Sequence, residues 1–244
     1  MVDNRSGDFS YYASALPSTV FYLPAMARIT GVGGTLFACE FTLFNVSESS
    51  NNVTLTFFER ERDNTNGAKT ASVVLGPRET RLLTDALGSL FGLSETYGSL
   101  KIESSDPVVV SERVYSTPPT TAGTVGEQVN PIPPDGFSAH ASILGLRQDD
   151  TFRSNIGLFN PNPDAVSVIL TLRRPSGEIL GDTTVALFPY GFAQRNLSAL
   201  FPSVVFPPGE PLTLAIDAGT SPIAAYGIIA DNVSQDLTAS PALP

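Results

Sequence analysis

The chain has 244 residues, a length that accommodates one large or two ordinary domains. Its 42% hydrophobic content beside only 16% charged residues excludes global disorder, which needs low hydrophobicity with high charge. The formal net charge is −10, and the only lysines are Lys69 and Lys101, so the surface is a poor match for nucleic acid or an anionic membrane.

In chain order, the first feature is an apolar N-terminal segment over residues 1–20, holding Phe9, Tyr11, Tyr12, Leu16 and Val20, with Phe21 next. It reads as an extended arm or linker, too apolar for a solvated tail. Strands are then expected near 24–31, 36–45, 53–62, 69–75, 79–84, 98–103 and 107–115. Thr54–Arg62, reading TLTFFERER, shows the period-two alternation of a half-buried strand. A short helical turn is expected over 84–91, capped by Thr84. Residues 117–136 form a Pro/Thr/Gly-rich joint, stiffened by Pro131, Pro133 and Pro134. Strands follow near 139–147, 152–160, 166–174, 179–187, 191–196, 211–217 and 222–231, with a second helical turn capped by Asn196.

The second half repeats the first about 115 residues later. Phe37, Leu43, Phe44 and Asn45 recur as Phe152, Leu158, Phe159 and Asn160; Val53, Leu55 and Thr56 recur as Val168, Leu170 and Thr171. Pro107 before an apolar run recurs as Pro222. A period of one domain length means two copies of one domain: residues 21–116 and 137–244. About seven short strands per copy, punctuated by turns, argue for an all-β fold of two tandem antiparallel β-sandwiches, each with one short helical turn. A fainter echo relates Asp3-Asn4-x-Ser6-x-Asp8 to Asp231-Asn232-x-Ser234-x-Asp236, so the chain opens in the phase where a preceding unit ends.

The repeated Leu-Phe-Asn triplets, the Leu-Phe helical turns and the DN-x-S-x-D tails resemble tandem immunoglobulin-like or fibronectin-like repeats of secreted bacterial proteins of uncharacterised role. The resemblance implies a scaffold, adhesive or binding module and supplies no catalytic residue. The chain departs from antibody-type domains in having no tryptophan and no cysteine pair.

Reactive side chains are sparse. Cys39 is the only cysteine and reads as a small buried strand residue. His140 is the only histidine and has no G-x-S-x-G partner element, so it reads as a surface strand residue. One His with one Cys cannot build a usual zinc site, and no cofactor is expected. Glu59 and Glu61 share a face of the expected third strand and are the candidate carboxylate pair, with cross-strand ion pairing as the simpler reading. Asp149-Asp150 lies in a turn that could bind calcium, whereas Asp63–Gly67 reads as a hairpin turn. Sequons stand at Asn4, Asn45, Asn52, Asn196 and Asn232, and Asn4 and Asn52 are the candidates for glycosylation. Lys101 or Lys69 could form an isopeptide link if buried beside an asparagine and a carboxylate.

The expectation is therefore a non-catalytic, extracellular or bacterial cell-surface structural or adhesive repeat protein. No signal peptide stands at its start and no segment is apolar enough to span a membrane. Its partner is expected to be protein, including itself in a head-to-tail assembly or filament, with the arm residues Phe9, Tyr11, Tyr12, Leu16, Val20 and Phe21 as the contact. The alternative is a carbohydrate-binding module using Tyr11, Tyr12, Tyr97, Tyr115 and Tyr190, weakened by the absence of tryptophan.

Overall fold

The computed structural model of the chain describes residues 16–31, 34–117 and 123–243. These are mostly strand, paired antiparallel, in two compact units: Met1–Glu59 with Gly67–Gly136, and Arg60–Asn66 with Phe137–Pro244.

The first unit is built from β1 (Ser18–Thr30), β2 (Leu36–Asn45), β3 (Asn51–Glu59), β4 (Lys69–Leu75), β5 (Thr80–Thr84), the helical turn α1 (Ala86–Phe91), β6 (Thr96–Thr117) and β7 (Val125–Glu127). β6 organises it. Its first half lies between β3 and β1, and its second half between β2 and β7. The change of neighbours falls around Pro107, which has no N–H to offer a ladder. The strands expected at 98–103 and 107–115 are thus one continuous 22-residue strand that passes between the two layers.

The second unit is built from β8 (His140–Leu146), β9 (Phe152–Phe159), β10 (Val166–Arg173), β11 (Ile179–Leu187), β12 (Phe192–Asn196), α2 (Leu197–Leu200), β13 (Leu212–Asp217), β14 (Ala224–Asp231) and β15 (Leu237–Pro241). Its strands form two four-stranded sheets, ordered β11-β10-β13-β8 and β12-β9-β14-β15. Replacing β13 and β14 by the two halves of β6 gives the order of the first unit, β4-β3-β6-β1 and β5-β2-β6-β7. In the immunoglobulin order the first strand neighbours the second. Here β8 neighbours β13 and β14 neighbours β9, so the first and seventh strands have exchanged sheets.

Each unit closes on its own apolar core. Leu43 and Leu158 are buried at equivalent places, as are Leu55 and Leu170. The helical turns differ: Phe201 is buried, while Phe91 is half-buried with its ring 5.9 Å from that of Phe57. Asn196 caps α2, its side chain accepting from the Ser198 amide at 2.9 Å. The cap of α1 is Asp85 rather than Thr84, in a left-handed conformation (φ 44°), and its carboxylate receives Nε of Arg28 at 2.9 Å.

Three boundaries differ from the sequence reading. β1 begins at Ser18, so Val20 and Phe21 are strand residues of the first unit, opposite Glu103 and Ile102, and Phe21 lies in its core. Register shows why the alignment slipped. Phe21, Leu23 and Met26 face Ile102, Leu100 and Gly98 on β6, as Ala141, Ile143 and Leu146 face Ile216, Leu214 and Leu212 on β13. These first strands share position, a bulge and the spacing of these residues, but lie 120 rather than about 115 residues apart. Second, the 117–136 joint is not a free linker: β7 pairs with β6, and Ile132 exchanges two 2.8 Å backbone hydrogen bonds with Tyr22. Third, the edge strand β15 was not anticipated. Asn4, Phe9, Tyr11 and Tyr12 lie outside the described residues, and Leu16 is 87% exposed.

The repeated asparagine explains how the turns are held. Asn45 and Asn160 are fully buried at the ends of β2 and β9. The Asn45 Nδ2 donates to the carbonyls of Ser49 and Gly76, both at 2.8 Å, and its Oδ1 accepts from the Ser47 amide at 3.0 Å. Asn160 repeats this, donating to Asp164 and Phe188 at 2.8 and 2.9 Å and accepting from the Asn162 amide at 2.9 Å. One carboxamide thus satisfies backbone groups of two different loops in each unit, as buried polar groups require. The tie extends to the strand crossing by different residues: Asn51 reaches the Asp106 carbonyl at 2.8 Å, and Asn162 reaches that of Pro222 at 3.0 Å.

Truncation of Asn160 or Asn45 to alanine strands these loop groups and should cost about 2–3 kcal/mol in urea unfolding, whereas Asn52→Ala, at an exposed position, should change stability by less than about 0.5 kcal/mol.

Candidate functional site

Chemistry-bearing side chains gather in the first unit where β2 meets the second half of β6. Alternation along β6 places Val108, Val110, Glu112 and Val114 on the core face, and Ser111 and Arg113 on the other. Glu112 stands opposite Phe41 and is fully buried. Neither of its carboxyl oxygens has a hydrogen-bond partner among the described residues. Burial alone pushes its pKa well above the usual carboxylate range, favouring the neutral acid.

Cys39 lies two residues before Phe41 on the same face of β2. Burial, reinforced by Glu112, pushes its thiol far up, so no thiolate is available as nucleophile or metal ligand. Ser154 takes the equivalent place in the second unit, where its Oγ donates to the Arg147 carbonyl at 2.6 Å and accepts from the Arg147 amide at 2.9 Å. The Cys39 position is therefore a framework position, filled by a weaker hydrogen-bonding group.

On the opposite face of this sheet, Leu82 of β5, Thr42 of β2 and Ser111 of β6 stand in one cross-strand row. Beside them Arg113 lies 3.8 Å from Glu40, donates to Thr124 Oγ1 at 3.1 Å, and sits 5.4 Å from the Tyr115 ring centroid. Burial, then Glu40, raises the Tyr115 phenol. A groove of about 310 Å³ opens here, lined by Glu40, Phe41, Thr42, Leu82, Ser111, Glu112 and Arg113. The repeat does not single these residues out, because Ser111 and Glu112 stand against residues of other types, Tyr226 and Gly227; that mismatch is the signal.

The other candidates are dispersed. His140 is exposed on β8, its Nδ1 3.3 Å from Asp217 across the sheet, while Ser138 Oγ donates to the His140 backbone carbonyl rather than to the ring. Glu59 and Glu61 do not share a strand face: β3 ends at Glu59, which accepts from Thr96 Oγ1 at 2.9 Å, and Glu61 turns left-handed (φ 57°). Glu61 belongs to the second unit, where it takes the fork of Arg195. Within the same 60–66 segment, Asn64 donates to the Tyr190 carbonyl at 2.9 Å.

Asp149 organises its own turn, accepting from the Thr151 and Phe152 amides at 2.8 Å and from the Gly209 amide at 3.0 Å. Those amides, Gly209 foremost, lower its pKa. No group of three or more His, Cys, Asp or Glu that could hold a metal occurs among the described residues. Lys101 is half-buried and pairs with Glu103 at 2.7 Å, and Lys69 is exposed, so neither has the burial an isopeptide link needs. Of the sequons, the Asn45 carboxamide is consumed in the buried tie, while Asn52 lies exposed on β3. Tyr97, Tyr115 and Tyr190 are half-buried and form no exposed platform. Among the described residues, no helix is long and apolar enough to cross a membrane.

No protein-family model matches the chain, and no curated protein matches it. Among solved structures it is similar to "Crystal structure of putative beta-galactosidase from bacteroides fragilis", at 12% identity and a TM-score of 0.20. The alignment covers 97% of this chain and 33% of that one, so the chain spans a third of that protein's length. At that TM-score the likeness carries no argument about fold or function.

The buried acid predicts a pH dependence. Glu112 holds a proton in the folded state that the unfolded chain releases above about pH 4.3. Stability of the first unit is therefore greatest below that pH and falls as pH rises toward the raised folded pKa. Glu112→Met should remove this fall and stabilise the unit by about 1–3 kcal/mol at pH 8, with little gain at pH 4. Equal effects of the variant at both pH values would contradict the assignment.

Proposed function

We propose that the chain is a tandem pair of immunoglobulin-like β-sandwich modules, with first and seventh strands exchanged, serving a non-catalytic structural or adhesive role outside a bacterial cell or on its surface. The observation that supports it is the repetition of strand order and of the buried asparagine tie in both units. What the duplication preserves is framework, whereas the reactive groups His140, Cys39 and Glu112 each occur in one unit alone. That is the pattern of a spacer or display module rather than of a duplicated enzyme.

The assembly part of the reading rests on the tail echo. Asp231–Asp236 forms the turn that feeds edge strand β15: the Asp231 carboxylate accepts from the Val233 and Ser234 amides at 2.7 and 2.8 Å, and Asn232 receives Arg153 at 2.8 Å. Residues 3–8 carry the same Asp, Asn, Ser and Asp, followed by Phe9, Tyr11 and Tyr12. The N-terminal sequence is thus of edge-strand type, suited to pair with an open sheet edge of another copy. A head-to-tail contact of that kind propagates.

Light scattering over a range of concentrations tests this. The full chain should self-associate, and a chain lacking residues 2–15, which leaves β1 intact, should not. A full chain that stays monomeric throughout would overturn the assembly reading.

A further inference from the structure

The segment 60–66 holds two asparagines in opposite environments. Asn64 is 1% exposed, and its Nδ2 donates to the carbonyls of Arg62 and Tyr190 at 3.2 and 2.9 Å. Asn66 is exposed in the turn that follows. Among the described residues neither its carboxamide nor the N–H of Gly67 makes a hydrogen bond. Asn66 is also the one asparagine of the chain that precedes a glycine.

We infer that Asn66–Gly67 is a self-modifying site, at which the asparagine converts to aspartate and isoaspartate. The Gly67 nitrogen, once it has lost its proton to hydroxide, attacks Cγ of Asn66. The Cγ–Nδ2 bond breaks, ammonia leaves with a proton taken from water, and a five-membered succinimide closes. Water then opens the ring. Attack at Cγ leaves aspartate; attack at the backbone carbonyl leaves isoaspartate, whose main chain runs through Cβ and Cγ.

These steps need atoms that the fold ties up elsewhere. A glycine sets no side chain against the attacking nitrogen. Asn130, Asn160 and Asn162 precede prolines, which have no N–H. The amide after Asn232, that of Val233, is held by the Asp231 carboxylate at 2.7 Å, and Asn52 is followed by Val53 inside β3. The Asn45 carboxamide is held in the buried tie. The consequence of conversion falls on Asn64. Isoaspartate adds one carbon to the main chain and a carboxylate two residues from that buried side chain, in a segment that already carries Glu61 and Asp63. Conversion therefore loosens the hold of Asn64 on Tyr190. The inference is independent of the proposed function, since it rests on the chemistry of one turn.

The experiment incubates the folded full chain at mildly alkaline pH and follows its peptides by mass spectrometry and by labelling with an isoaspartyl methyltransferase. The peptide holding Asn66 should gain the mass that exchange of NH2 for OH brings. Its rate should lie within about tenfold of that of a free peptide of the same sequence, because no contact in the fold protects it. Gly67→Ala and, separately, Asn66→Gln should slow the gain at least about tenfold. As isoaspartate accumulates, the side-chain amide protons of Asn64, read by NMR, should exchange faster. A folded chain whose Asn66 stays intact while the free peptide converts would overturn the inference. So would conversion spread equally over the exposed asparagines, or undiminished in both variants. Unchanged exchange at Asn64 in the converted chain would overturn the stated consequence.

Discussion

Everything else in each unit hangs on one buried carboxamide. A β-sandwich can bury its alternating apolar residues in many registers, and what removes that freedom is the way its loops end. Asn45 and Asn160 each sit at the end of a central strand and close hydrogen bonds to two loops distant in sequence. Each also donates its backbone N–H to a third loop position, Glu79 or Gly191, at 2.9 Å. Removing such a group leaves buried backbone polar atoms without partners, which is why the residue is held while its surroundings vary.

Around that fixed point the units have diverged in a consistent direction. The second unit is closed. Gly227 lets Ile143 and Leu146 approach so near that a Cβ there would meet both, and Tyr226 covers Gly157. The first unit differs at the same places. Glu112 stands for Gly227, Cys39 for Ser154 and Ser111 for Tyr226, leaving an acid with no hydrogen-bond partner among the described residues on one face of β6 and a groove on the other. A carboxyl without a partner in an apolar core weakens the fold. Two such departures, back to back on one strand, mark the part of the chain least explained by folding alone.

The all-β class was legible because period-two alternation in stretches such as Val166–Arg173 survives burial on one face. Asn45 and Asn160 were legible as a repeat but not as ties, since a triplet does not state which carbonyls its last residue will meet. The order of strands was not legible at all. Nothing in Pro107 or Pro222 distinguishes a bend within one strand, as in β6, from a break between two, as between β13 and β14. The first strands are misaligned by the 115-residue period because their equivalent residues lie 120 apart, an offset that only their register with β6 and β13 reveals. The groove was invisible for a simpler reason: it depends on three residues from three strands, and each is unremarkable alone.

The central claim is that the same carboxamide tie holds both units, and hydrogen exchange reads it directly. Side-chain amide protons of Asn45 and Asn160, followed by NMR, should exchange far more slowly than those of exposed Asn52, and by similar factors in both units. Exchange of either carboxamide at the rate of Asn52 would contradict the account.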